Sequence, residues 1–272
     1  MCHHWFRIPR GGARRQRGAH DPAVKRARHL VQYWHSANPP EDVALLCETF
    51  HKQNPNLRYV LFSESSAEEL IADHFSGREC AAFRACAVRA MEADYFRYCA
   101  VLAQGGIYSD VDYRCVAPLA PLLDGAACGK LYIRPNGIVI NAFFAFARSD
   151  EPLLRYALEI ATRAIELRLA EDLWLTTGPG IFTMLYHLSI ASSVDEFLGW
   201  WPSVGDENDR EDLRKCAQNV CNVVGDLDQL RLAFSDIDID PISETHRWVQ
   251  DASVEYKESE GHWSEVTSSI FR

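Results

Sequence analysis

The sequence predicts an α/β fold, a mixed sheet flanked by helices in one domain, and three observations carry that expectation. Strand-like and helix-like segments alternate along the chain instead of falling into separate blocks. No internal repeat or low-complexity linker interrupts the alternation. The 272 residues, 47% of them hydrophobic, are enough to bury a full core.

The elements follow in order. Met1 to Leu30 carries eight Lys or Arg against the single Asp21. Residues 1–27 therefore read as a basic, disordered arm, whose functional alternative is a peripheral tether to anionic lipid. The domain proper is expected over residues 28–272. The run "RHLVQYWH" is a short strand ending near Trp34. After Pro39-Pro40, "EDVALLCETFHKQ" reads as a helix with acidic residues in its first turn. "NPNLRYVLFS" is a turn and a second strand, and Ser65 to Phe75 a second helix. From Ala81 to Gln104, residues such as Phe83, Ala87, Ala90, Tyr98 and Val101 recur at helical spacing and predict one long helix. Gly105-Gly106 stops it, because glycine takes a left-handed C-terminal cap at little cost. "GIYSDVDYRCVAPL" is expected to be a strand leaving the core, ended by Pro118 and Pro121. "KLYIRPNGIVINAFFAFA" gives two strands around a Pro135-Asn136-Gly137 turn. "DEPLLRYALEIATRAIELRLAEDLWL" is an amphipathic helix entered through Pro152, with Leu154, Leu158, Ala161 and Ile165 on one stripe.

Composition narrows the function classes. The formal net charge of −10, with a basic arm, leaves an acidic body, which disfavours gripping nucleic-acid phosphates. No stretch approaches the roughly 20 apolar residues of a membrane span, and the start of the chain lacks the apolar block of a secretion signal. Nine cysteines without a C-x-x-C pair argue against a zinc knuckle or a disulfide framework, and point to a reducing, cytoplasmic setting.

The densest chemistry lies in "MEADYFRYCAVLAQGGIYSDVDYRC". On a strand, Asp110 and Asp112 would share a face about 7 Å apart. Such a pair needs relief from solvent, a shared proton or a bound cation. Carboxylates at the carboxyl end of a buried strand stand where α/β folds bind ligands. Oxygen ligands with open positions suit Mg²⁺ or Mn²⁺ beside phosphate oxygens. Asp94 and Arg97, three apart on a helix, share a face and can reach the same place.

The run from Ala93 to Val116 resembles the signature of glycosyltransferase family 32, the D-x-D sugar transferases, with weaker likeness from about Arg28 to His187. The resemblance implies a GT-A-type, Rossmann-like nucleotide-sugar-binding fold, Mn²⁺ or Mg²⁺ as cofactor, and transfer of a hexose with retention. The implied partners are a nucleotide-sugar donor and a glycan, lipid-linked or protein acceptor. By that likeness Asp112 is the direct metal ligand, and Asp110 touches donor ribose, sugar and metal. Asp94 and Arg97 hold the sugar hydroxyls, Trp34 stacks on the base, Tyr108 lies beside the nucleoside, and Asn141 faces the transferred sugar. The C-terminal "EGHWSEVTSSIFR" departs from the family's closing loop. Within it His262 is the candidate third metal ligand, Ser269 the candidate phosphate contact, and residues 255–272 an expected lid. A metal-dependent sugar-nucleotide hydrolase and a non-catalytic sugar-nucleotide-binding protein are the competing functions.

Other features read as structure. "SDIDIDP" is expected to be a solvated edge strand, "TTGPGIF" a turn and helix cap that could meet a phosphate, and Phe143, Phe144 and Phe146 core. His29, His35, His51 and His187 have no ligand spacing.

Overall fold

A computed structural model describes residues 27–125, 127–201, 210–244, 247–251, 254 and 269–272. Strands and helices alternate as expected: β1 (His29–Tyr33), α1 (Glu41–Gln53), β2 (Arg58–Phe62), α2 (Glu64–His74), α3 (Gly77–Ala85), α4 (Arg89–Gln104), β3 (Gly106–Ser109) and β4 (Tyr113–Cys115). There follow α5 (Pro121–Asp124), β5 (Gly129–Ile133), β6 (Val139–Phe146), α6 (Pro152–Leu167), α7 (Leu173–Thr176) and α8 (Gly180–Ile190). The chain continues through α9 (Val194–Trp200), α10 (Arg210–Val224), α11 (Leu227–Phe234), β7 (Ile237–Pro241) and β8 (Trp248–Gln250). The basic arm, apart from Ala27, and His262 lie outside the described residues, as does all but the last four residues of the expected lid. Among the described residues no helix is long and apolar enough to cross a membrane.

Six strands form a mixed sheet in the order β2-β1-β3-β6-β5-β7. β1 runs parallel to β2 and β3, β6 is antiparallel to both β3 and β5, and β7 is parallel to β5. The carboxyl ends of β1, β3 and β5 and the start of β6 thus meet along one edge. Successive side chains on a strand face opposite sides, and both sides here are buried. On β3 and β6, Tyr108, Phe144 and Phe146 join the core shared with α4, α6 and α8. Ile107, Phe143 and Ala145 pack with Leu119 and Trp248 on the other side. All three phenylalanines are fully buried, as the sequence predicts. The aspartate-rich β7 is an edge strand, and Lys130 of β5 pairs with its Asp240 at 2.6 Å.

Four expectations are corrected. The amphipathic helix expected over residues 150–175 ends at Leu167, where Arg168 caps it in the left-handed conformation, and Leu173–Thr176 form the separate α7. The long helix over residues 81–104 is two helices, because the C-terminus pairs with the chain at the break. Cys86 forms a β-bridge with Phe271, and the Ala87 N–H donates to the Ile270 carbonyl at 2.8 Å. The D-x-D motif is not on a strand. β3 ends at Ser109, Val111 and Asp112 form a turn, and Tyr113 enters a separate two-stranded sheet with β8. Gly105 ends α4 with φ 65° and ψ −175°, a positive-φ conformation that glycine takes readily but not the left-handed helical cap expected. Gly106 (φ 112°) is required by packing, since a Cβ there would lie 2.4 Å from the His29 carbonyl oxygen.

Candidate active site

A cavity of about 1100 Å³ opens at the edge where β1, β3, β5 and β6 converge. Its walls include Trp34, Asp94, Arg97, Asp110, Asp112 and Asn141, which β1, α4, β3 and β6 bring to one place. α4 places Asp94 and Arg97 on one face, and the glycine pair turns the chain directly from that helix into β3, whose last residue precedes Asp110.

Arg97 is the centre of the arrangement. Its guanidinium Nη2 lies 2.9 Å from Oδ1 of Asp94 and 2.9 Å from Oδ1 of Asp110. It also sits over the Tyr108 ring, 4.7 Å from the centroid. Burial alone would lower its pKa, but Asp110 and Asp94 outweigh that and hold it above the ordinary arginine value. Asn141 Nδ2 donates to the same Oδ1 of Asp94 at 2.9 Å, and the Tyr108 hydroxyl donates to Oδ1 of Asp110 at 2.9 Å. Burial raises the pKa of Asp94 against the opposing pull of Arg97 and Asn141. For Asp110, burial raises the pKa, Arg97 opposes it, and the neighbouring Asp112 and Asp94 add to it, so the carboxyl is pushed up to about 7.

Asp112 is held from the far end of the chain. Gln250 Nε2 donates to its Oδ2 at 3.0 Å, and the Asp251 N–H donates to its carbonyl at 2.7 Å. Both hydrogen bonds to Asp110 fall on Oδ1, which leaves Oδ2 without one among the described residues. The donor set tests as a fit for a hard divalent cation. Two carboxylates one residue apart face the cavity, one still has an unbonded oxygen, and their mutual repulsion raises a pKa that a cation would lower. Among the described residues no group of three or more His, Cys, Asp or Glu gathers to hold a metal by itself. A cation here would complete its shell with ligand or water oxygens.

The other expected residues are placed less directly. Tyr108 is fully buried behind Asp110 and does not line the cavity, so its effect is exerted through Arg97 and Asp110. Ser269 is exposed and its hydroxyl bonds Glu171, two residues before the cavity-lining Leu173. Pro179 of "TTGPGIF" reaches the cavity wall, while Gly178 and Gly180 pack against Trp174. Sequence reasoning missed Gln250, Arg134, Arg89 and Trp174, all of which line the cavity. Gln250 lies 138 residues from Asp112 in the chain, so no local spacing could reveal it.

A buried Arg shared by two carboxylates thus lies next to a cation-ready carboxylate pair in a large cleft. Comparison with known proteins bears on the same residues. Residues 40–128 match the family described as "Glycosyltransferase sugar-binding region containing DXD motif", a span that includes Asp94, Arg97, Asp110 and Asp112. Over that span, about a third of its length, the chain is similar to the D-x-D sugar-binding region of glycosyltransferases. Among solved structures it is similar to a protein described as "PaToxG Glycosyltransferase", at 16% identity and a TM-score of 0.46, over 72% of this chain and 86% of that one. No curated protein matches the chain.

Proposed function

We propose that this protein moves a hexose from a nucleotide-sugar donor to a hydroxyl of a glycan, lipid or protein acceptor, with Mn²⁺ or Mg²⁺ bound and with retention of configuration. The observation that carries this reading is the Asp94–Arg97–Asp110 arrangement with Asn141 on the wall of the cavity. A neutral sugar is recognised by fixed, charged hydrogen-bonding groups, which are stronger than neutral ones and cost little reorganisation when already paired. Trp34 at the cavity wall offers a flat face to the base. Asp110 and Asp112 would hold the cation, which when bound neutralises the leaving diphosphate and acts as a Lewis acid.

Attack by the acceptor hydroxyl on the anomeric carbon forms the new glycosidic bond and breaks the bond to the diphosphate oxygen. The hydroxyl proton passes to the departing phosphate. Asp94 and Asp110 are engaged with Arg97, which suits them to orienting the sugar and not to forming a covalent intermediate. Given the retention that the family resemblance implies, this suits same-face attack assisted by the leaving group better than a double displacement. In this reading residues 28–272 form the transferase domain, in a cytoplasmic setting.

The test is a thermal-shift screen of nucleotide sugars against their matching nucleoside diphosphates, with Mn²⁺. At least one nucleotide sugar is expected to raise Tm further than its diphosphate does, and Arg97→Lys, which loses the planar fork, is expected to erase that surplus. No surplus from any sugar in the wild type would contradict a sugar site at Arg97.

A further inference from the structure

Three arginines line the cavity, and two are already engaged. Arg97 lies between Asp94 and Asp110, and Arg89 contacts both Glu64 and Glu92 at 2.8 Å. Arg134 differs. It is exposed, and among the described residues its guanidinium makes no ion pair or hydrogen bond.

Its position is fixed by the backbone on which it stands. The Arg134 N–H donates to the Ile138 carbonyl at 2.8 Å, and the Gly137 N–H donates to the Arg134 carbonyl at 2.9 Å. α8 holds this β5–β6 turn from behind. His187 Nε2 donates to the Gly137 carbonyl at 3.1 Å, and the Val139 N–H bonds Thr183 Oγ1 at 3.1 Å. The braced turn fixes where the Arg134 side chain starts, and its unpaired guanidinium is available to an anion in the cavity.

Sheet order says which anion. Along the edge, Trp34 follows β1, Asp110 follows β3, Asn141 stands near the start of β6, and Arg134 follows β5. With the base at Trp34 and the sugar over Asp94, Arg97 and Asn141, Arg134 lies beyond the sugar, on the side away from the nucleoside. It is two strand spacings from β3, roughly 10 Å from the strand that presents the diphosphate site. That is the acceptor's side. The lining sets three arginines against Asp94, Asp110 and Asp112, and with Arg97 and Arg89 already paired, Arg134 is the lining arginine left to receive an anion on that side.

We infer that the acceptor is anionic, and that Arg134 receives a carboxylate or phosphate borne by the acceptor saccharide near its attacking hydroxyl. This inference rests on the transferase reading above for the direction of the donor.

Binding to the full chain with Mn²⁺, with and without a nucleoside diphosphate, tests it by NMR titration of three probes: methyl glucoside, methyl glucuronide and glucose 6-phosphate. At least one acidic probe is expected to bind about tenfold tighter than the neutral one, the scale of one charge-assisted contact. Which of the two gains identifies the anion. Arg134→Gln should abolish the preference, Arg134→Lys should retain part of it, and neither should change nucleoside diphosphate affinity. Equal affinity for acidic and neutral probes would overturn the inference, as would a preference that survives Arg134→Gln. A drop in nucleoside diphosphate affinity in Arg134→Gln would overturn it too, by moving Arg134 to the donor. If no nucleotide sugar binds while the acidic preference stands and depends on Arg134, the anion site is upheld and the transferase reading fails.

Discussion

At the scale of single residues, the site concentrates charge that burial penalises, and each group is compensated by a named partner. Arg97 compensates two carboxylates, so removing its charge leaves Asp94 and Asp110 facing each other in a poorly solvated wall, at a cost on the order of 3–5 kcal/mol. Asp112→Ala would remove the proposed cation ligand without opening the core. It is expected to lower metal-dependent turnover by more than about hundredfold while Tm stays within a few degrees, checked by product release across a Mn²⁺ titration. Gln250→Ala loses only the bond to Asp112 Oδ2 and should weaken Mn²⁺ by about tenfold, the scale of an outer hydrogen-bonding partner. Asp110 adds a pH signature. Its native pKa of about 7 exceeds the ordinary carboxylate value, so the native state binds the extra proton and stability is lost as pH rises from about 4 towards 7. Metal-free protein melted across that range should lose Tm as pH rises. Asp110→Asn keeps an acceptor for Tyr108 and Arg97 and should lose less. An identical pH slope in both proteins would show that Asp110 is not the titrating group.

At the scale of elements, the site depends on how α4 and β3 are joined and held. The Gly105-Gly106 pair lets the helix bearing Asp94 and Arg97 turn into the strand that delivers Asp110. Gly106→Ala combines positive φ with a 2.4 Å clash against the His29 carbonyl. It should cost several kcal/mol, or leave a folded protein with displaced carboxylates and lost donor binding, read by denaturant unfolding and ligand titration. The other support is the C-terminus. Ile270 and Phe271 are buried against the break before α4, and Arg272 pairs with the buried Glu92 at 2.6 Å. Phe271→Ala is expected to cost about 3 kcal/mol, and to weaken donor binding as well because α4 carries Asp94 and Arg97, the proposed sugar contacts. Most elements were legible in the sequence: β1, α1, β2, the β5–β6 hairpin and α6 all follow from local periodicity and turn residues. Two were not. The split of α3 from α4 is imposed by residues 270–272, far along the chain. The turn at Val111-Asp112 depends on β4 leaving the main sheet to pair with β8, a long-range pairing that local alternation cannot encode.

For the whole molecule, the alternating elements and the "ADYFRY"…"GGIYSDVD" juxtaposition already pointed to one candidate site. Asp94, Arg97, Asp110, Asp112, Asn141 and Trp34 do meet in one cavity. Arg134 and Gln250 were not legible, because strand order and not sequence distance brings them there. Tyr108, expected beside the nucleoside, does not line the cavity, since a residue one position before the end of β3 faces the α4 side of the sheet. The central claim is that this edge of the sheet is a metal-dependent sugar-transfer site. Its most direct measurement is product analysis of the nucleotide sugar that binds best, incubated with Mn²⁺ and acidic and neutral saccharide acceptors, for the wild type and Asp112→Ala. The account expects nucleoside diphosphate and a glycosylated acceptor of unchanged anomeric configuration from the wild type, with both lost in Asp112→Ala or on chelation. Release of nucleoside monophosphate with sugar phosphate, or turnover that persists in Asp112→Ala, would contradict it.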